Sequence, residues 1–167
     1  MVDIQTVSIM LASASVVVGV IYYALQIRHQ TKLRQTDLIM RLYSTLGSKD
    51  FFESYTKFMM MEFEDYDDYR KKYATSPVGL SEKPEVIAFW RVGIFYEEVG
   101  VLLYMKLVDI KLTARLFRNL VVRTWEKAKP IIEGLRKQSG EPRMYGWFEY
   151  LANEMKKREQ QLASKTA

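Results

Sequence analysis

Two adjacent glutamates, Glu97 and Glu98, interrupt an otherwise apolar segment, GIFYEEVGVLL. At least one of the two carboxylates is expected to face the interior of a helical fold, where burial shifts a carboxyl pKa and suits it to acid–base chemistry. A buried charge also requires a partner, and the next predicted helix offers Arg115, Arg118 and Arg123. We therefore predict a buried ion pair between these glutamates and arginines, and we assign no catalytic residue.

A second group of carboxylates has the oxygen ligands that a hard cation such as calcium prefers. Its members are Glu62, Glu64, Asp65, Asp67 and Asp68. The spacing does not fit an EF-hand loop, because the turn glycine and the closing glutamate are absent. A short helix with Asp65 and Asp68 at its N-terminus and the cations of RKK at its C-terminus explains the same pattern through the helix dipole. We therefore favour a solvated helix end and predict no metal site.

Composition narrows the possible chemistry further. The chain of 167 residues contains no cysteine and one histidine, His29, which excludes disulfides and cysteine-based metal centres and leaves almost no material for a Ser–His triad or a histidine metal site. We expect no cofactor and favour a non-catalytic protein. A carboxylate-based or metal-dependent hydrolase is the alternative from a different class.

Basic residues suggest another alternative, an anionic-lipid-binding membrane sensor. Lys111, Arg115 and Arg118 fall along one face of their predicted helix, where they could contact lipid head groups or a nucleic-acid backbone. Because the chain is predicted to be tethered to a membrane, lipid is favoured over nucleic acid as the ligand of these cations. We expect no nucleic-acid partner. The residues predicted to contact lipid are Arg28, Lys32, Arg34, Lys111, Arg115 and Arg118.

The membrane tether itself is predicted from an apolar segment, Val7–Ile27, which has 21 residues and no charged side chain. At a rise of about 1.5 Å per residue such a helix measures roughly 31 Å, close to the hydrocarbon thickness of a bilayer. Cations follow the segment, whereas Asp3 is the charged side chain that precedes it, so the positive-inside rule places the N-terminus outside and the C-terminal part in the cytoplasm. We predict a single-pass protein of the cell membrane rather than a cleaved signal peptide.

Small residues recur along one face of this predicted span at intervals of four and three, a spacing that lets membrane helices approach closely. The helix-pairing seam consists of Ser8, Ala12, Ser15, Gly19, Tyr22 and Gln26. It predicts association with another membrane protein subunit or with a second copy of the chain.

The remaining sequence shows helical rather than alternating periodicity, which predicts an all-α fold in which the span continues into a cytosolic bundle of about four to five helices. Ser48 and Asp109 are predicted N-caps, and a helix is expected to start at or after Pro84. The predicted segments are a short external N-terminus (1–6), the transmembrane helix (7–27), a cytosolic helix extension (28–47), a helical bundle (48–155) with a loop at 74–84, and a charged C-terminal tail (156–167).

Four stretches in this order carry a resemblance: IRHQTKLRQTDLIMRLY, DYDDYRKKY, FYEEVGVLLYMKLVD and RTWEKAKPIIEGLRKQSGEPRMYGWFEYLA. From about Val7 to Met155 the chain resembles a family of small single-span prokaryotic membrane proteins known as a domain of unknown function. The resemblance implies an architecture and no activity. With the features above, it favours a membrane-anchored helical protein–protein interaction module or an accessory subunit of a membrane complex, with the lipid bilayer and another membrane protein as partners.

Overall fold

The computed structural model describes residues 3–74 and 82–163. The helices in this part of the chain are α1 (Ile4–Leu46), α2 (Lys49–Met59), α3 (Tyr66–Lys72), α4 (Pro84–Tyr104), α5 (Ile110–Ser139) and α6 (Gly146–Ala163). No strand occurs in either described range, which confirms the predicted all-α class. The structure divides into two compact units, Met1–Asp37 and Leu38–Ala167.

The first unit contains most of α1, which is 43 residues long. Val7–Leu46 is long and apolar enough to cross a membrane, so α1 is a candidate membrane span. Serine hydroxyls within it donate to backbone carbonyls one turn earlier, Ser13 to Ile9 at 2.8 Å and Ser15 to Leu11 at 2.8 Å. These polar groups are therefore satisfied inside the helix, as a hydrocarbon environment requires.

The second unit is a helical bundle with α4 at its centre. α4 packs against α2, α5 and α6, while α3 packs against α5. The last turns of α1 belong to this unit and bury Ile39 and Leu42 in its core, because these two residues lie on one face of the helix. The five helices that follow α1 match the four to five that the sequence predicts.

Helix starts in the bundle follow local sequence signals. The side chains of Ser48 and Asp109 accept hydrogen bonds from the amides of Phe51 (3.3 Å) and Leu112 (2.9 Å), so both predicted N-caps are confirmed. Pro84 is the first residue of α4, where its missing N–H costs nothing.

The C-terminal segment differs from its prediction. The segment 156–167 was expected to be a charged tail, but α6 continues to Ala163. Ion pairs support the extension, because Lys156 pairs with Glu126 of α5 and Lys157 pairs with Glu154 one turn earlier. The loop predicted at 74–84 falls largely on residues 75–81, which lie outside the described residues.

Candidate functional site

The carboxylate of Glu97 lies at the N-terminus of α6. Tyr145 occupies the N-cap position there, since its carbonyl oxygen accepts the first helical hydrogen bond from Glu149, but a tyrosine side chain does not cap the helix. Instead, the amide of Phe148 donates to Oε2 of Glu97 at 2.7 Å. Glu97 therefore caps α6 from a neighbouring helix, and its negative charge is favourable beside the positive end of the α6 dipole.

Glycines of α4 flank this capping contact. A Cβ at Gly93 would lie 2.6 Å from the Tyr145 ring, and a Cβ at Gly100 would lie 2.1 Å from the backbone oxygen of Trp147. Gly93, Glu97 and Gly100 are spaced by four and three residues, so they lie on one face of α4. Gly100 allows the backbones of α4 and α6 to approach closely, and Gly93 leaves space for the Tyr145 ring beside the contact between the Glu97 carboxylate and the Phe148 amide.

The ion pair predicted for Glu97 and Glu98 is not formed among the described residues. Glu97 is half-buried and accepts from a backbone amide, while Glu98 is exposed. Among the described residues, no salt bridge joins either glutamate to Arg115, Arg118 or Arg123. The backbone amide replaces the arginine as the partner of the inward carboxylate, because the start of α6 supplies an unsatisfied donor.

Three buried tyrosines lie in the bundle core. They are Tyr69, Tyr96 and Tyr145, and the hydroxyl groups of Tyr69 and Tyr145 have no hydrogen-bond partner among the described residues. Burial raises the pKa of all three phenols, and the negative charge of Glu97 raises the pKa of Tyr145 further. These phenols stay protonated far above physiological pH, so none of them is a phenolate that could act as a general base.

The acidic cluster forms the helix end that its spacing predicts. Asp65 is the N-cap of α3, and its side chain accepts from the amide of Asp68 at 2.8 Å. Lys72 lies one turn after Asp68 and donates to it at 2.8 Å, which holds the pKa of the Asp68 carboxyl below its usual range. Within the described ranges, no three carboxylate or histidine side chains converge in a way that could hold a metal ion.

A basic cleft of about 340 Å³ lies between α5 and α6. Its charged residues are Lys111, Arg115, Arg118 and Arg158. The sequence pattern identified the first three, which lie on α5, but not Arg158, because α6 was expected to end before it. A sequence signal for Arg158 was nevertheless present. Leu151, Met155 and Arg158 are spaced by four and three residues, which places them on one face of a continuing helix.

An exposed aromatic patch occupies the end of α4 and the start of α6. The Tyr104 ring lies 4.6 Å from the Trp147 ring and 5.8 Å from the Tyr150 ring, measured between centroids. Tyr104 and Met105 are 58% and 61% exposed, and Trp147 is 37% exposed. The side chain of Trp147 therefore lies at the surface, in this aromatic patch.

The predicted seam lies in the first unit. Ser8, Ala12, Ser15, Gly19, Tyr22 and Gln26 are all exposed on α1. Arg28, Lys32 and Arg34 are also exposed on α1. Apart from the adjoining backbone of α1 and the two neighbouring residues, no atom of the described residues lies within 4 Å of a Cβ placed at Gly19, so this face is open to another helix.

Comparison with known proteins identifies a family and no activity. A family model described as "Domain of unknown function (DUF4760)" matches residues 10–155, which cover most of the chain. No curated protein and no solved structure matches it.

Proposed function

The chain belongs to the DUF4760 family of unknown function, and from that premise we propose that it is a membrane-anchored interaction module, an accessory subunit that binds another membrane protein. The observation that carries the proposal is the exposure of the apolar part of α1. Every described side chain from Val7 to Arg34 is exposed, although residues 7–27 carry no charge. Such a helix requires a lipid or protein environment outside the bundle.

The aromatic patch supports a protein partner. Tyrosine, tryptophan and methionine are enriched in interface cores, where a few large side chains account for most of the binding energy. Tyr104, Met105 and Trp147 combine these types in one exposed cluster. A tether to the bilayer favours an occupant in the same membrane, since confinement raises its effective concentration. We commit to a second membrane protein subunit as that occupant.

The half-buried carboxylate supports the non-catalytic role. Glu97 is engaged by the Phe148 amide at 2.7 Å, and Glu98 points to solvent. A hydrolase built on these two glutamates would need both carboxylates free to face one substrate. The geometry therefore favours a binding function over the hydrolase.

The orientation in the membrane is tested first. Because the sequence contains no cysteine, a maleimide reacts only with the cysteine that is introduced. We expect a membrane-impermeant maleimide to label Gln5→Cys, in the predicted external N-terminus, in intact cells. Lys137→Cys, on the exposed end of α5, should be labelled only after the membrane is permeabilised. These results follow from the cations Arg28, Lys32 and Arg34 after the span. The reverse labelling pattern would contradict the proposed topology.

The interaction is tested by a photo-crosslinking amino acid placed at Trp147 of the full chain in native membranes. We expect one discrete adduct with a protein that also co-purifies in a fixed ratio, and we expect Tyr104→Asp to abolish it. The same crosslinker at exposed Lys137 is the matched control and should give no such adduct. A Trp147 adduct that consists of two copies of this chain, or none at all, would contradict the proposed accessory role.

A further inference from the structure

Four cations meet at the basic cleft between α5 and α6, and we propose that this cleft is a binding site for a phosphate group. Lys111, Arg115 and Arg118 project from three positions of α5 spaced by four and three residues, and Arg158 reaches the same cleft from α6. The cleft has a volume of about 340 Å³, enough for a phosphate group and part of the molecule that carries it. Ala114 contributes a small side chain between the cations, which leaves space for a ligand.

The lack of carboxylates at the cleft is the first argument for an anion. Among the described residues, none of the four cations forms a salt bridge. The basic residues immediately before Arg158 are different, because Lys156 pairs with Glu126 and Lys157 pairs with Glu154. The same helix therefore neutralises its other cations and leaves Arg158 at the cleft without an acidic partner.

Electrostatic cost is the second argument. Like charges that line one cleft repel one another, and two of the four side chains, Arg118 and Arg158, are half-buried, which weakens screening by solvent. Without a bound anion, this repulsion lowers the stability of the fold. A multiply charged anion held by all four side chains would turn the repulsion into a net attraction.

The residue types indicate phosphate in particular. A guanidinium group presents a planar fork of donors that matches two phosphate oxygens, and lysine adds a point charge. The Nε of Arg118 donates to the side-chain oxygen of Asn119 at 3.3 Å. This hydrogen bond holds the guanidinium in place while its terminal nitrogens stay available. Arg118 lines the cleft, and this hydrogen bond occupies only its Nε.

The phosphate has two possible sources, a phospholipid head group and a soluble phosphorylated molecule. Both offer the same chemistry to the four cations. This inference is independent of the aromatic patch and of the protein partner proposed above, so either proposal can fail without the other.

The test titrates pyrophosphate into the full chain, reconstituted in nanodiscs of phosphatidylcholine, by isothermal calorimetry. We expect saturable binding that weakens about tenfold in Arg115→Gln and in Arg158→Gln, since each removes charge-assisted hydrogen bonds. Arg123→Gln is the matched control, because it removes an exposed arginine of α5 that does not line the cleft. Arg158→Lys, which keeps the charge, should restore part of the affinity.

A second arm distinguishes the sources by adding phosphatidic acid to the nanodiscs. If the lipid head group occupies the cleft, pyrophosphate affinity should fall more in the wild type than in Arg158→Gln. An equal change in the two proteins would assign the cleft to a soluble phosphate. The proposal is overturned if pyrophosphate does not bind in phosphatidylcholine, or if Arg115→Gln, Arg158→Gln and Arg123→Gln behave alike while circular dichroism shows all three folded.

Discussion

At the scale of single residues, Glu97 shows how one charged side chain can appear catalytic in sequence and be structural in the fold. Sequence reasoning correctly places one of the two glutamates inward, because an apolar helix with two adjacent charges cannot expose both equally. The sequence interpretation assigns the wrong partner to Glu97, because the Phe148 amide is 51 residues away in sequence and no local pattern predicts this contact. The side chain stabilises the start of α6 rather than an arginine.

Replacing Glu97 should therefore affect stability. We expect Glu97→Ala to lower the free energy of unfolding by about 2 kcal/mol, because it removes a charge-assisted hydrogen bond and leaves the Phe148 amide unsatisfied. Glu97→Gln keeps an acceptor oxygen and should cost about half as much. The measurement is urea unfolding of the full chain in mild detergent, followed by tryptophan fluorescence. Glu98→Gln, at the exposed neighbour, is the control and should leave the unfolding curve unchanged.

Tyr145 carries a prediction about pH. Its phenol is buried without a hydrogen-bond partner among the described residues, and burial together with the Glu97 charge raises its pKa above the ordinary 10.0. The unfolded chain ionises this phenol above pH 10 and the folded chain does not, so the stability present below pH 10 is lost as pH rises beyond it. Burial also raises the pKa of Tyr69 and of Tyr96, so these two residues lower the stability of the fold over the same alkaline range.

We expect Tyr145→Phe to retain or increase stability at neutral pH by about 1 kcal/mol, since it removes a buried unsatisfied hydroxyl. It should also move the midpoint of alkaline unfolding to higher pH. Circular dichroism across an alkaline titration measures both effects, and exposed Tyr104→Phe is the control. A loss of more than about 1 kcal/mol at neutral pH would mean that the hydroxyl has a bonding partner.

At the scale of helices, the close crossing of α4 and α6 depends on Gly100. A methyl group there would meet the backbone oxygen of Trp147 at 2.1 Å, and backbone atoms cannot rotate away as a side chain can. We expect Gly100→Ala to separate the helices and to cost about 2–4 kcal/mol, at the upper end for overpacking. Thermal unfolding measures the loss. Gly146→Ala, where a Cβ meets nothing within 4 Å, is the matched control and should unfold at nearly the wild-type temperature.

Helix boundaries were predictable to the extent that they are encoded locally. Ser48, Asp109 and Pro84 act within one turn of their own positions, so their roles can be inferred from neighbouring residues. Packing between helices is not encoded in this way. The proximity of Glu97 to α6 and the arrival of Arg158 at the basic cleft depend on which helices pack together, and periodicity within one helix does not determine that.

At the scale of the whole molecule, the first unit can be interpreted only in relation to an environment outside the chain. The bundle completes its core with the last turns of α1, while the preceding apolar segment contributes no buried side chain among the described residues. The sequence predicted a membrane span here, and α1 is long and apolar enough to be one. It also predicted the seam, which stays a prediction, because pairing involves a second molecule.

The seam is testable as the difference between two faces of one helix. Ser15 lies on the small-residue face and Val17 lies about 200° around the helix from it, on the opposite side. We expect a photo-crosslinking amino acid at Ser15 to give a protein adduct in native membranes and the same group at Val17 to give none. Gly19→Leu should reduce the Ser15 adduct several-fold, because its side chain prevents close approach of a partner helix.

The mass of that adduct would identify either a second copy of the chain or another subunit. Gly19→Ala tests whether the effect of Gly19→Leu comes from the size of the side chain or from any substitution at this position. A single methyl group on an open face should reduce the adduct much less than leucine does. Equal adducts at Ser15 and Val17, or a Ser15 adduct unaffected by Gly19→Leu, would show that α1 contacts its neighbours without a preferred face. The segment would then be an anchor, and specific recognition would have to come from the aromatic patch of the bundle.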